Sequence, residues 1–135
     1  MSDEPIRILY ADDEEDILDV ATLALEMVGG LSVTTCGDGF QAVAAARRTP
    51  PDLIMLDVMM PGMDGPTAMS QIRADPDLGA IPVILLTARV RGPEVREYLS
   101  LGADGVISKP FDPMTLADEV RAIWRATKAK GRAAM

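Results

Sequence analysis

The chain has 135 residues, 48% of them hydrophobic and 25% charged, the profile of one soluble globular domain with a real core. Its net charge of −8 argues against non-specific nucleic-acid binding, and neither a secretory signal nor an apolar run of membrane-spanning length is present. The lone Cys36 excludes an internal disulfide and fits a reducing, cytoplasmic setting, while the lack of histidine excludes a histidine nucleophile, base or phosphohistidine on this chain.

In chain order, Ile6 to Ala11 form a first apolar run that ends in Asp12-Asp13-Glu14. A helical pattern follows over about 15–28 and closes at Gly29-Gly30. On it Ile17, Ala21, Ala24 and Val28 share one face. Leu18, Val20, Leu25 and Met27 widen that face, and Leu23 lies further round. The apolar arc is about twice the ~100° a surface helix needs. Its edges are either half-buried leucines or a dock for a partner helix. Leu31 to Cys36 read as a second strand. Asp38 caps a helix over 39–48, with Phe40, Val43 and Ala44 directed inward, and Pro50-Pro51 break it.

The third strand, Leu53-Ile54-Met55-Leu56-Asp57, is the centre of the pattern. A short apolar run bounded by turn residues is buried on both faces. The turn Val58-Met59-Met60-Pro61-Gly62-Met63-Asp64-Gly65 follows, with Gly62 and Gly65 serving its geometry. Pro66 opens a short helix to about Ala74, and 75–79 form a loop. Pro82 to Leu86 are a fourth strand ending in Thr87. Pro93 to Leu101 form a helix stopped by Gly102. Gly105 to Ile107 are a short fifth strand ending in Ser108-Lys109-Pro110. Pro113 opens the last helix, with Leu116, Val120, Ile123 and Trp124 on one face. From Thr127 the chain is small and basic. The expectation is a domain over 1–126 and a frayed tail over 127–135.

Five βα units predict an α/β fold: a doubly wound, five-stranded parallel sheet, order 2-1-3-4-5, with helices on both faces. Ligands in such sheets collect outside the carboxyl ends of the strands, at the switch point between strands 1 and 3. Asp12, Asp13 and Asp57 end there, and strands 4 and 5 bring Thr87 and Lys109 to the same edge. Three crowded carboxylates repel unless a cation intervenes. Hard oxygen donors without His or Cys point to Mg²⁺, which also binds phosphate oxygens. Lys109 adds a mobile positive charge and Thr87 a hydroxyl donor. One carboxylate is then able to attack phosphorus.

Asp12-Asp13, Asp57 with Met60-Pro61-Gly62-Met63-Asp64-Gly65, Thr87-Ala88 and Lys109-Pro110-Phe111 together resemble the CheY-like receiver domain of two-component response regulators. Each motif is weak alone; five in order at five strand ends are specific. The resemblance implies that Asp57 accepts a phosphoryl group from the phosphohistidine of a histidine kinase or phosphotransfer protein. It implies Mg²⁺ bound by Asp13, Asp57 and the backbone carbonyl of Met59, with Asp12 acting through water. It implies that Thr87 and Lys109 hold the phosphoryl oxygens and that the Lys109–Pro110 bond is cis. Receivers carry Tyr or Phe in the fifth strand as a switch; here that position is Val106, with Tyr98 as a candidate to fill the space. Met59 and Arg89, two residues beyond Asp57 and Thr87, are placed to modulate water access, which predicts slow self-dephosphorylation.

Taken singly, each residue has a plainer role. Asp57 alone would be a solvated turn, Thr87 a strand end and Lys109 surface charge. Asp12-Asp13 would be a capping pair, a role compatible with metal binding. The set favours a signalling module that is not an enzyme beyond Mg²⁺-dependent self-phosphorylation and self-dephosphorylation. No output domain fits after the last helix, so the module is expected to be stand-alone. It would bind a downstream protein partner or form a phosphorylation-dependent homodimer, with no direct nucleic-acid or membrane binding. Alternatives are the receiver portion of a longer DNA-binding regulator and a phosphorelay intermediate. An aspartate-nucleophile phosphatase is disfavoured because Met59 stands where a general acid is needed. A flavodoxin-like FMN carrier is disfavoured by the acidic strand ends.

Overall fold

The computed structural model describes residues 6–129. Strands β1 (Arg7–Ala11), β2 (Ser32–Cys36), β3 (Leu53–Asp57), β4 (Val83–Thr87) and β5 (Gly105–Ser108) form one sheet in the order β2-β1-β3-β4-β5. Every pairing is parallel. Helices α1 (Glu15–Leu23), α2 (Gly39–Arg48), α3 (Gly65–Ala74), α4 (Gly92–Ser100) and α5 (Leu116–Ala129) complete the doubly wound arrangement that the βα pattern predicts. Helices cover both faces, so β3 and β4 are buried at every residue. One apolar cluster gathers Leu9, Val43, Leu56, Met69 and Leu85; the other gathers Tyr10, Leu18, Met55, Leu86 and Val120. Successive strand residues feed opposite clusters, as the two-residue period requires.

Asp38 Oδ1 accepts the Gln41 N–H and Asp64 Oδ1 that of Thr67, both at 2.8 Å, so side chains cap α2 and α3. No such bond caps α1. Asp12 Oδ1 instead accepts the N–H of Glu14, the residue before the helix. The anticipated Asp12-Asp13 cap is reduced to that bond.

α1 runs into a π-helical turn over Ala24–Val28. Its wider winding shifts the phase of the buried face. Leu18, Ala21, Ala24 and Leu25 are buried, whereas Val20, Leu23, Met27 and Val28 are exposed. Val28, expected on the centre line of the apolar arc, is thereby turned outward. Glu26 lies in the same turn, and its Oε2 accepts the Val33 N–H at 3.0 Å. β2 is an edge strand, so this bond occupies a donor otherwise open to another chain.

Three sequence expectations are corrected. Phe40 and Ala44 are exposed, and α2 instead buries Gly39, Ala42, Val43 and Ala46. The reason is the closeness of the β3–α3 loop: a Cβ on Gly39 would lie 2.5 Å from the Met63 carbonyl oxygen. The Phe40 ring rests beside Gly62, which has φ +78°. α5 starts at Leu116 rather than Pro113, after a turn in which Asp112 Oδ1 accepts the Met114 N–H. It continues to Ala129, with Thr127 buried and its hydroxyl donating to the Ile123 carbonyl. Residues 127–129 are therefore helix, and 130–135 lie outside the described residues. Trp124 packs at the margin of the second cluster, with Lys128 Nζ 5.0 Å from its ring centroid.

Arg73 holds the far side of the sheet. Its guanidinium donates to the carbonyls of Gly79, Ile81 and Gly102 and pairs with Asp104 Oδ2 at 2.8 Å. The end of α3 is thus joined to the segments entering β4 and β5.

Candidate phosphoacceptor site

The parallel register delivers the carboxyl ends of β1 and β3 side by side: Ala11 pairs with Leu56, and Asp12 and Asp57 follow directly. Carboxylate oxygens of Asp12, Asp13 and Asp57 lie within 4.8 Å of one another. Asp12 is fully buried, Asp57 nearly so, and Asp13 is exposed. Lys109 reaches into this cluster from the end of β5. Its Nζ stands 2.9 Å from Asp12 Oδ2, 3.3 Å from Asp57 Oδ1 and 3.7 Å from Glu14 Oε1. The Lys109–Pro110 peptide is cis. Thr87 is buried at the end of β4, and its Oγ1 accepts the Arg89 N–H at 3.1 Å, which leaves the hydroxyl proton to donate.

An open cleft of about 570 Å³ gives access to the cluster. Asp13, Asp57, Met59, Thr87 and Lys109 all line it. Gly65 lets α3 start close beneath: its Cβ would lie 2.5 Å from the Asp57 carbonyl oxygen, and its N–H donates to the Val58 carbonyl. The need at Gly65 is thus close approach, not a left-handed turn.

Burial and the neighbouring Asp12 charge push Asp57 from 3.8 up to about 6, against the opposing pull of Lys109 and the Met59 N–H. Asp57 is still mostly ionised at neutral pH. Burial works to lower the Lys109 pKa, but its hydrogen bond to Asp12 and the charges of Asp12 and Asp57 outweigh it and raise the value. Lys109 stays cationic.

The positions named from the sequence do not all meet. Met59 overhangs the Asp57 cleft and is largely exposed, whereas Arg89 lines a neighbouring hollow with Arg91 and Glu94. Val106 pairs with Leu85 in the ladder, and Tyr98 packs on the cluster that contains Leu85 and Ala103. Tyr10 was hidden in the first apolar run. Its hydroxyl donates to Asp12 Oδ2 at 2.7 Å, and burial together with Asp12 raises its pKa far above the ordinary value. The available signal was a tyrosine two residues before Asp12 on a buried strand, since buried tyrosine hydroxyls take a partner.

The response regulator receiver domain family matches residues 8–121. The transcriptional regulatory protein CseB of Streptomyces avermitilis is 38% identical over 122 residues, covering 90% of this chain and 50% of CseB. The DNA-binding response regulator MtrA of Mycobacterium tuberculosis is 40% identical over 116 residues, covering 86% of this chain and 49% of MtrA. The chain thus spans about half the length of the curated relatives it matches. Among solved structures, the chemotaxis response regulator CheY4 of Vibrio cholerae superposes with a TM-score of 0.83 at 29% identity, covering 88% of this chain and 98% of CheY4. The chain belongs to the response regulator receiver domain family, a family of signalling domains activated by phosphorylation. Among the described residues no helix is long and apolar enough to cross a membrane.

Proposed function

We propose that Asp57 is the phosphoacceptor of this receiver. The observation that carries the reading is one cation, Lys109, bridging the buried carboxylates of Asp12 and Asp57, with Asp57, Lys109 and Thr87 lining one open cleft. An Asp57 oxygen attacks phosphorus in the phosphohistidine of a histidine kinase or phosphotransfer protein. The O–P bond forms, the P–N bond breaks, and the imidazole leaves with the electron pair. Lys109 and Thr87 hold the phosphoryl oxygens. The donor set, three carboxylates without His or Cys, fits Mg²⁺. Asp13, Asp57 and the Met59 carbonyl would hold it directly and Asp12 through water. When bound, Mg²⁺ neutralises charge on the phosphoryl oxygens.

Phosphorylation then switches binding to a downstream protein or to a second copy of the chain. Val106, paired with Leu85, and Tyr98, packed on the cluster that contains Leu85, are the proposed switch positions. Met59 shields the cleft and slows hydrolysis; Arg89 contributes only if its side chain swings from the adjacent hollow. A second reading, the receiver portion of a DNA-binding regulator, is favoured by what the relatives CseB and MtrA are and by the half of each that the chain matches.

The test is incubation with acetyl phosphate or a phosphorylated histidine kinase, with Mg²⁺. One phosphoryl group per chain is expected, with none in Asp57→Asn or in the presence of a chelator. Undiminished labelling of Asp57→Asn would refute the assignment.

A further inference from the structure

Tyr10 belongs to the acidic site although it does not line the cleft. It is fully buried in β1, two residues before Asp12 and on the same side of the strand. Packing alone does not ask for a hydroxyl here, because its cluster neighbours Leu18, Met55 and Leu86 are apolar. The hydroxyl instead donates to Asp12 Oδ2 at 2.7 Å. That oxygen also accepts Lys109 Nζ at 2.9 Å, and Oδ1 accepts the Glu14 N–H at 3.0 Å. A fully buried carboxylate depends on such donors, and stripping one away costs more than the bond itself contributed.

Lys109 is the donor that moves. It already lies 3.3 Å from Asp57 Oδ1, and a phosphoryl group on Asp57 adds strong negative charge at that point. Lys109 is drawn toward it, and its bond to Asp12 weakens. The Tyr10 hydroxyl is short-tethered and locked in the core, so it stays. Being neutral, it satisfies Asp12 without cancelling the charge that Asp12 presents to a cation.

We propose that Tyr10 is a positioning residue: its hydroxyl fixes and satisfies Asp12, so that Lys109 can shift to a phosphoryl group on Asp57. The proposal rests on Asp57 being the acceptor.

The probe is beryllium fluoride, a phosphoryl stand-in that bonds to carboxylates, titrated with saturating Mg²⁺ and followed by Trp124 fluorescence or calorimetry. Tyr10→Phe is expected to weaken its binding about tenfold or more, the loss of one hydrogen bond to a charged group. Affinity for Mg²⁺ alone should fall by a smaller factor, because Lys109 still serves Asp12 when no phosphoryl stand-in is bound. In an Asp12→Asn background the Tyr10→Phe effect should vanish, because Tyr10 acts through Asp12. Binding equal to the parent, an equal loss of Mg²⁺ affinity, or an undiminished effect in the Asp12→Asn background would each overturn the proposal. In the parent protein, the slowly exchanging Tyr10 hydroxyl proton should remain visible by NMR after beryllium fluoride binds. Its disappearance would overturn the proposal whether or not the variant folds. If the parent binds beryllium fluoride equally well after Asp57→Asn, the acceptor assignment fails and the Tyr10 proposal falls with it. If Asp57→Asn abolishes binding while Tyr10→Phe binds like the parent, only the Tyr10 proposal fails.

Discussion

As the proposed acceptor, Asp57 would meet two opposing demands: shelter for chemistry and ionisation for attack. Its shelter carries a stability penalty with a definite sign. The folded-state value, about 6, lies above the ordinary 3.8. The protonated form is therefore favoured by folding, and stability present below pH ~4 is lost as pH rises through 6. Asp57→Asn removes the penalty. In metal-free protein the variant should be more stable than the parent by about 1–3 kcal/mol above pH 7. The gain should shrink to nothing near pH 4. Urea unfolding at a series of pH values, with chelator present, checks this, and a pH-independent difference would contradict it. At this scale the sequence was legible where chemistry follows from position. Asp12, Asp13, Asp57, Thr87 and Lys109 each stand at a strand end, so topology alone gathers them. Tyr10 escaped because an aromatic inside an apolar run reads as core until its hydroxyl is seen to find Asp12.

Between β3 and α3, backbone contact governs the site's geometry. Gly65 sits so close to the Asp57 carbonyl that a methyl group at 2.5 Å would have to push the strand end or the start of α3 aside. Gly65→Ala is expected to lower stability by about 1–3 kcal/mol and to slow phosphorylation of Asp57 as well. Thermal unfolding together with labelling rates checks both effects. A stable variant that labels at the parental rate would show that the loop gives way freely. Element identities were legible from strand length, proline and glycine punctuation and helical period. Three details were not. The π turn after Leu23 has no composition signal and moves Val28 off the buried stripe. The inward side of α2 is decided by the nearness of Met63, a tertiary contact that overrides the apolar character of Phe40. The continuation of α5 past Ala126 goes with the burial of Thr127, which a basic, small-residue segment does not advertise.

The whole molecule separates rigidity from chemistry. Arg73 and Asp104 pin the segments entering β4 and β5, on the side of the sheet away from Asp57. Among the described residues α4 buries none of its own, whereas α1, α2, α3 and α5 each bury two or more. A charge change at Asp57 thus falls at the end of the sheet opposite the Arg73–Asp104 pair, where Thr87 and Ala88 line the same cleft. The fold class and strand order followed from the βα repeat because parallel crossovers leave few alternatives. The position of Lys109 between Asp12 and Asp57 depends on distances within a cluster and had to be read from coordinates.

The most direct test of Asp57 as the acceptor is to locate the phosphoryl group chemically. An acyl phosphate is reduced by borohydride, which converts the phosphorylated aspartate to homoserine. Protein phosphorylated with Mg²⁺, reduced and digested should yield homoserine at position 57 alone, with Asp12 and Asp13 intact. Homoserine at position 12 or 13, or stable labelling with no homoserine at 57, would contradict the assignment.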